Sequence, residues 1–212
     1  MSEAARVLPL FARGASVERV PEERRDHGLS LDDLYGRLAE LSGPSGASGV
    51  LTAALSLVAR AQRRREPVAW VTAEESCFFP PDAAEGGVDL DTLVVVRVPD
   101  AKEVPRAGDA LLRSGAFGLL VLDLGAKARV PMPLLTRLSG LARKHDVALA
   151  FLTEKGSELP SLGSLVSLRA EVSFARQSPS SETFSLAIRV LKDKRRAPGW
   201  SATELCRGPA GL

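Results

Sequence analysis

Apolar residues recur along the middle of the chain with the periods of helices and of buried strands. Intervals of three and four residues predict an α-helix with one apolar side; its apolar positions are Val50, Ala53, Ala54, Leu57, Val58 and Ala61. Similar spacing predicts helices over residues 104–114 and 134–142. Unbroken apolar or valine-rich runs predict strands, and the fully apolar ones are typical of a parallel sheet; the runs cover residues 38–42, 68–72, 92–98, 117–122 and 147–152.

Near the end of the chain the apolar period changes to two. The alternating apolar positions are Leu168, Ala170, Val172, Phe174, Phe184, Leu186, Ile188 and Val190. The intervening residues 177–181 are rich in Ser and Pro, which favour turns. This pattern predicts a β-hairpin with one polar face. The order of elements therefore predicts an α/β fold with a mixed, mostly parallel sheet flanked by helices and a C-terminal antiparallel hairpin.

Composition and polar signals divide the chain into three parts. Residues 1–35 carry many charges of both signs and are expected to form an N-terminal arm. Within this arm, Ser30 followed by Asp33 predicts a capping box at the start of a short helix. Residues 36–198 form the expected core, and residues 199–212, rich in Gly and Pro, are expected to be a C-terminal tail.

Length and composition exclude several classes of protein. The 212 residues are 45% hydrophobic and 25% charged, which excludes a wholly disordered chain. No stretch approaches about 18 uninterrupted apolar residues, so we expect no membrane-spanning helix. Cys77 and Cys206 are too few for a disulfide framework or a metal-ligand cluster. We therefore expect a protein of a reducing cytoplasm that binds neither a metal nor a cofactor.

Charge alone does not predict a nucleic-acid-binding protein. The net charge is only +2, and aromatic residues, which could stack on bases, make up 5%. Two basic runs are nevertheless candidate DNA contacts, and the alternative is that they are solvated ends of a helix and a strand. Their residues are Arg63, Arg64, Arg65, Lys192, Lys194, Arg195 and Arg196.

The glycine-rich turn at residues 43–49 stands where a P-loop would bind phosphate. A P-loop needs a Lys and a Ser or Thr after its second glycine, to neutralise phosphate and to hold Mg²⁺. In one register Ser48 replaces that glycine and Gly49 the lysine; with one residue inserted, Val50 replaces the lysine. The turn is thus either a tight strand–helix connection or a site whose lysine, Lys127 or Lys155, comes from elsewhere.

Two acidic residues accompany this turn. Asp123 closes a buried strand, where a P-loop enzyme keeps its Mg²⁺-ordering aspartate. Glu74 follows another strand, where a base that orients water could lie. Each could equally be a solvated acid at a strand end. The candidate degenerate nucleotide site therefore consists of Gly43, Ser48, Gly49, Val50, Glu74 and Asp123, without catalytic residues.

The ordered motifs resemble the core of the RecA recombinase family from about residue 37 to residue 198. The matching strings are GRLAELSGP from Gly36, AE after Thr72, GVDLD from Gly87, DALLRSGA from Asp109 and VLKDKRRAP from Val190. The resemblance implies a RecA-like P-loop core. The P-loop lysine is missing, and Glu154 follows Thr153 where the recombinase keeps a glutamine. The DNA-gripping loop of the recombinase is reduced to residues 155–161.

A shortened RecA-like chain with an altered nucleotide site resembles the ImuA family. That resemblance implies a non-enzymatic factor of SOS-induced translesion synthesis and mutagenesis. Its implied partners are RecA, the Y-family polymerase homologue ImuB and, indirectly, an error-prone DnaE-type polymerase. It also implies restraint of RecA-mediated recombination. The alternatives are a SulA-like division inhibitor that binds FtsZ and a weak ATPase with a displaced lysine.

Apolar residues near both ends of the chain are candidate contacts for these partners. An exposed Trp or Leu can anchor a protein interface. The alternatives are packing against the body of the protein and disorder. The candidates are Leu8, Leu10, Phe11, Trp200, Leu205 and Leu212.

Overall fold

The computed structural model describes residues 29–44, 49–76, 78–175, 183–196 and 199–207. The strands are β1 (Arg37–Gly43), β2 (Val68–Ala73), β3 (Leu93–Val98), β4 (Leu119–Asp123), β5 (Ala148–Glu154), β6 (Leu168–Ala175), β7 (Thr183–Asp193) and β8 (Ser201–Arg207). The α-helices are α1 (Val50–Arg63), α2 (Pro80–Glu85), α3 (Val104–Ser114) and α4 (Met132–His145). Short 3₁₀ turns cover Leu31–Asp33, Leu90–Thr92 and Gly125–Lys127.

The eight strands form one sheet in the order β3-β2-β4-β5-β1-β6-β7-β8. All pairs among strands β1 to β6 are parallel. Strand β7 pairs antiparallel with both β6 and β8. The predicted α/β fold with a mostly parallel sheet and a C-terminal hairpin is therefore confirmed. Because β1, β2, β4 and β5 run in the same direction, their carboxyl ends meet at one edge, where open α/β sheets bind ligands.

Helices cover both faces of the parallel part of the sheet. Along β2, Val68 and Trp70 belong to the core beneath α1, while Ala69 and Val71 belong to the core beneath α3 and α4. All four side chains are fully buried. This double burial explains why β2 appears in the sequence as an unbroken apolar run rather than an alternating one. In the described part of the chain, no helix has the length and apolar content that crossing a membrane requires.

The hairpin follows its predicted alternation with two exceptions. Val172, Leu186 and Ile188 are buried as expected, but Phe174, in the same apolar row, is 46% exposed. Arg169 lies in the predicted polar row and is buried, because β6 joins the parallel sheet at this end and loop carbonyls accept its hydrogen bonds.

One α-helix and one strand were not predicted. Helix α2 begins with two prolines and lies between the predicted strands at residues 68–72 and 92–98; proline is tolerated in the first helical turn. Strand β8 lies within the segment expected to be a tail, and it pairs with β7 along all seven of its residues. The capping box at Ser30 and Asp33 is present, on the first of the 3₁₀ turns.

Candidate functional site

The junction between β1 and α1 is where a P-loop would hold phosphate. Gly43 is the last residue of β1, and Gly49 is the N-cap of α1; Ser48 lies outside the described residues. A Cβ atom placed on Gly49 would lie 2.1 Å from Cδ2 of Leu186 and 3.4 Å from Cγ1 of Val172. Val50 is only 5% exposed. Both candidate positions for the lysine are therefore packed against apolar groups.

The carboxylate of Asp123 accepts hydrogen bonds from two hydroxyl groups, one in β2 and one just after it. Its Oδ2 accepts a hydrogen bond from Oγ1 of Thr72, at 3.1 Å, and one from Oγ of Ser76, at 2.6 Å. Glu74 lies between these two residues and is exposed, and its backbone N–H donates to the carbonyl of Val98. The fold thus brings the two candidate acids to the ends of the paired strands β2 and β4.

A second carboxylate at this edge, Glu40, is fully buried in β1. Its Oε1 lies 2.6 Å from Nζ of Lys155 and accepts a hydrogen bond from Oγ1 of Thr153, at 3.0 Å. Its Oε2 accepts the backbone N–H of Leu162, at 3.0 Å. Lys155, one of the two candidate displaced lysines, is therefore paired with Glu40. The side chain of the other candidate, Lys127, lies outside the described part of the structure.

Lys155 and Leu162 belong to the connection between β5 and β6, and Arg169 holds this connection through further hydrogen bonds. Its guanidinium donates to Oγ of Ser42 at 3.2 Å, to the carbonyl of Gly156 at 2.8 Å and to the carbonyl of Leu159. Neither Glu40 nor Arg169 was predicted from the sequence as part of a site. The available signals were an acid inside an apolar run and an arginine at the start of an alternating strand.

An open cleft of about 1050 Å³ lies beside this fixed connection. Its walls come from the β5–β6 connection, the β4–α4 connection and the first turn of α3. Charged groups of both signs line it, and they include Lys102, Glu103, Arg106, Arg129 and Glu154. Among the described residues, no three His, Cys, Asp or Glu side chains come together as a metal site would need.

Most of the predicted DNA-contact residues hold parts of the protein together. Lys194 donates to the carbonyl of Ser164, at 2.6 Å, and Arg195 to the carbonyl of Tyr35, at 3.0 Å. Three further pairs have the same role. They are Arg196 with Asp33 (2.9 Å), Arg64 with Asp32 (2.9 Å) and Lys192 with Oγ of Ser161 (3.4 Å).

The remaining basic residues differ in their surroundings. Burial, followed by the charge of Lys194, lowers the pKa of Lys192 below its usual range. Arg63 and Arg65 are exposed, and no hydrogen bond or ion pair joins their side chains to another residue of the described ranges. Of the predicted DNA contacts, these two are therefore the most available to a ligand.

The candidate partner contacts fall into three groups. Leu205 is 67% exposed on β8. Trp200 is half-buried and packs against the core beneath α1. Leu8, Leu10, Phe11 and Leu212 lie outside the described residues.

The sheet order and the glycine-rich turn after β1 define an α/β protein with a RecA-like core. The sequence pattern of the RecA N-terminal domain matches residues 30–145, which is more than half of the chain. The chain therefore belongs to the RecA N-terminal domain family.

Several curated relatives share this region. The chain is 31% identical to Protein RecA of Rhodospirillum rubrum over 149 residues, covering 61% of the chain and 40% of that protein. It is 35% identical to Protein RecA of Haemophilus ducreyi over 134 residues (60% and 36%) and 38% identical to that of Bifidobacterium breve over 99 residues (46% and 25%). The chain thus spans less than half the length of these relatives.

Proposed function

We propose that this protein is a non-catalytic, RecA-like adaptor in SOS-induced translesion synthesis and mutagenesis, of the ImuA type. In this role it binds RecA and ImuB, reaches an error-prone DnaE-type polymerase through ImuB, and restrains RecA-mediated recombination. The observation that carries the proposal is the apolar packing of Leu186 and Val172 on Gly49, where a nucleotide-binding relative would need a lysine.

The missing positive charge disfavours tight nucleotide binding. A hydrogen bond to a charged group contributes about 1.5–3 kcal/mol, and each 1.4 kcal/mol is a tenfold change in affinity. Losing the lysine and the Mg²⁺-binding hydroxyl would weaken a micromolar site by several powers of ten. Lys155 is a poor substitute, because moving it would leave the carboxylate of Glu40 buried without its counter-charge.

The RecA partnership is supported by shape. Head-to-tail contacts between identical subunits build open filaments, so a related subunit with one competent face would end a filament. The chain has an eight-stranded RecA-like sheet, while its β5–β6 connection is short and held by Glu40 and Arg169. We propose that this connection serves as a fixed surface rather than as a loop that closes on DNA.

RecA-driven strand exchange, assayed with substoichiometric amounts of this protein, tests the proposal. We expect inhibition, together with no heat of ATP binding in titration calorimetry with Mg²⁺. Micromolar ATP binding would instead favour the weak ATPase. An unchanged rate of strand exchange, with no capture of RecA or ImuB in a pull-down, would contradict the adaptor role.

The ImuB contact can be tested at Leu205. We propose that Leu205→Ser weakens ImuB capture, because Leu205 is the most exposed large apolar side chain of the described residues. Leu90→Ser is the matched control, since Leu90 is 40% exposed and precedes β3 at the opposite edge of the sheet. Equal capture by both variants would exclude the exposed face of β8 from the interface.

A further inference from the structure

Helices α3 and α4 carry a group of cations on their outer surface. Both helices pack their apolar sides on the same face of the sheet. They connect successive parallel strands, β3 to β4 and β4 to β5, so they run in the same direction. Four of their exposed cations, called here the basic stripe, are Arg106, Arg113, Arg137 and Lys144.

The two helices themselves contain little opposing charge, although Glu103 is the N-cap of α3 and Asp146 the C-cap of α4. Asp109 is the only acidic residue in the sequences of α3 and α4. It lies between the helices, 2.9 Å from Nη2 of Arg113 and 2.7 Å from Nε of Arg137, and its side chain is 7% exposed. This pairing holds the two arginines side by side. The side chains of Arg106 and Lys144 have no hydrogen-bond or ion-pair partner among the described residues.

The cations are regularly spaced along each helix. Arg106 precedes Arg113, and Arg137 precedes Lys144, by seven residues. Seven residues are two helical turns and place both members of a pair on one side, about 10 Å apart. His145, at the end of α4, lies beside Gly115, at the end of α3, so the two pairs run alongside each other, and Arg113 and Arg137 both reach Asp109. The basic stripe therefore spans both helices side by side and is about 10 Å long.

Small residues separate the cations of each pair. Ala110 lies between Arg106 and Arg113, and Gly140 lies between Arg137 and Lys144. Glycine weakens the interior of a helix relative to alanine. Packing does not require it here, because a Cβ atom on Gly140 would meet nothing within 4 Å. The absence of a side chain leaves the backbone of α4 open to a close approach from outside.

We propose that the basic stripe binds the sugar-phosphate backbone of double-stranded DNA without base specificity, with closest contact over Ala110 and Gly140. The two pairs of cations have the same spacing, which suits a polyanion of uniform charge. Protein interfaces usually need large apolar anchors, and the two helices expose one such residue, Met132 at the start of α4, five residues before Arg137. The two helices also contain no Phe, Tyr or Trp on which single-stranded bases could stack.

This inference does not depend on the adaptor role or on RecA. It also places DNA on the face of the sheet opposite to α1, which carries the predicted contact Arg63. A charge-matched comparison can therefore separate the two surfaces. The test variant is Arg106→Gln/Lys144→Gln, and the control is Arg63→Gln/Arg65→Gln; each removes two exposed cations without breaking an ion pair between described residues.

Fluorescence anisotropy with a labelled 30-base-pair duplex, titrated at several KCl concentrations, measures both affinity and its salt dependence. Each phosphate contact contributes about −0.9 to the slope of log K against log[KCl]. We expect the test variant to reduce the magnitude of this slope by about two and to lower affinity at least tenfold at low salt. The control should change affinity less than threefold. Equal losses in the two variants, or a larger loss in the control, would overturn the proposal.

Three further measurements test the identity and the closeness of the ligand. Gly140→Gln keeps the charge of the stripe, and we expect it to weaken duplex binding severalfold; an unchanged affinity would contradict the close contact. Tighter binding of single-stranded DNA of the same length would contradict the choice of duplex. Binding of polyglutamate as tight as that of the duplex would show that the stripe is a site for acidic proteins.

Discussion

Nζ of Lys155 lies 2.6 Å from Oε1 of Glu40, and the Glu40 carboxylate is fully buried in the central strand β1. The same ammonium group donates to the carbonyl of Pro160, at 2.6 Å. This contact ties the β5–β6 connection to the middle of the sheet. Lys155 is one of the two lysines that could have replaced the missing P-loop lysine, and its ammonium group is already paired with Glu40.

The first prediction concerns this buried pair. Lys155→Met removes the counter-charge and leaves Glu40 buried, so it should lower the free energy of unfolding by about 3–5 kcal/mol. Urea denaturation monitored by circular dichroism measures the loss. The double variant Glu40→Gln/Lys155→Met removes both charges and should recover more than half of it. A double variant no more stable than Lys155→Met would contradict the ion pair.

Pairing of this kind is difficult to predict from one sequence. The apolar run at residues 38–42 predicted a buried strand, and the structure has this strand as β1. The partners of its one acidic residue come from the end of β5 and the loop beyond it. No local pattern connects positions so far apart in the chain. The apolar periods therefore predicted the sheet, but not the polar network that fixes the β5–β6 connection.

Strand β8 was missed for a related reason. Its alternate positions Ala202, Glu204 and Cys206 point towards α1, where Ala202 and Cys206 pack against the core. Glu204 interrupts this apolar row, and it is tolerated because Arg60 of α1 lies 2.9 Å away. A charged residue at an inward position, with Gly and Pro on both sides, concealed the strand. In contrast, the pattern of apolar residues was sufficient to place Asp123 and Glu74 at strand ends.

The second prediction tests the apolar packing at the start of α1. Gly49→Ala should destabilise the protein by about 1–3 kcal/mol, because its Cβ would lie 2.1 Å from Cδ2 of Leu186. Leu186→Ala alone should cost about 2–5 kcal/mol through the cavity it leaves. In the double variant the new methyl group occupies part of that cavity. Chemical denaturation should therefore give a combined loss smaller than the sum, and an additive result would contradict this contact.

The third prediction compares two glycines within helices. Gly140→Ala should raise the free energy of unfolding by about 0.5–1 kcal/mol, because alanine favours a helix and the new Cβ meets open space. Gly108→Ala in α3 should instead destabilise the protein, because its Cβ would lie 2.8 Å from both methyl carbons of the buried Leu122. Thermal unfolding of the two variants measures the contrast. Similar shifts of the two midpoints would contradict the described packing of α3.

The last prediction concerns acid unfolding and the ion pair between Arg37 and Asp193. Burial opposes ionisation of Asp193, but the backbone N–H of Arg195 and the guanidinium of Arg37 outweigh it and hold the pKa below the usual range. A carboxyl group whose pKa is lower in the folded state stabilises the protein above its unfolded pKa, near 3.9, and loses this contribution as the pH falls further.

Stability should therefore fall between about pH 4 and pH 2 more steeply in the wild type than in Asp193→Asn, which cannot bind the extra proton on unfolding. Urea midpoints measured across this range test the difference. The matched control is Asp82→Asn, because Asp82 is exposed on α2. The control should follow the wild-type profile. If Asp193→Asn also followed it, the salt bridge to Arg37 at 2.5 Å would contribute nothing to acid stability.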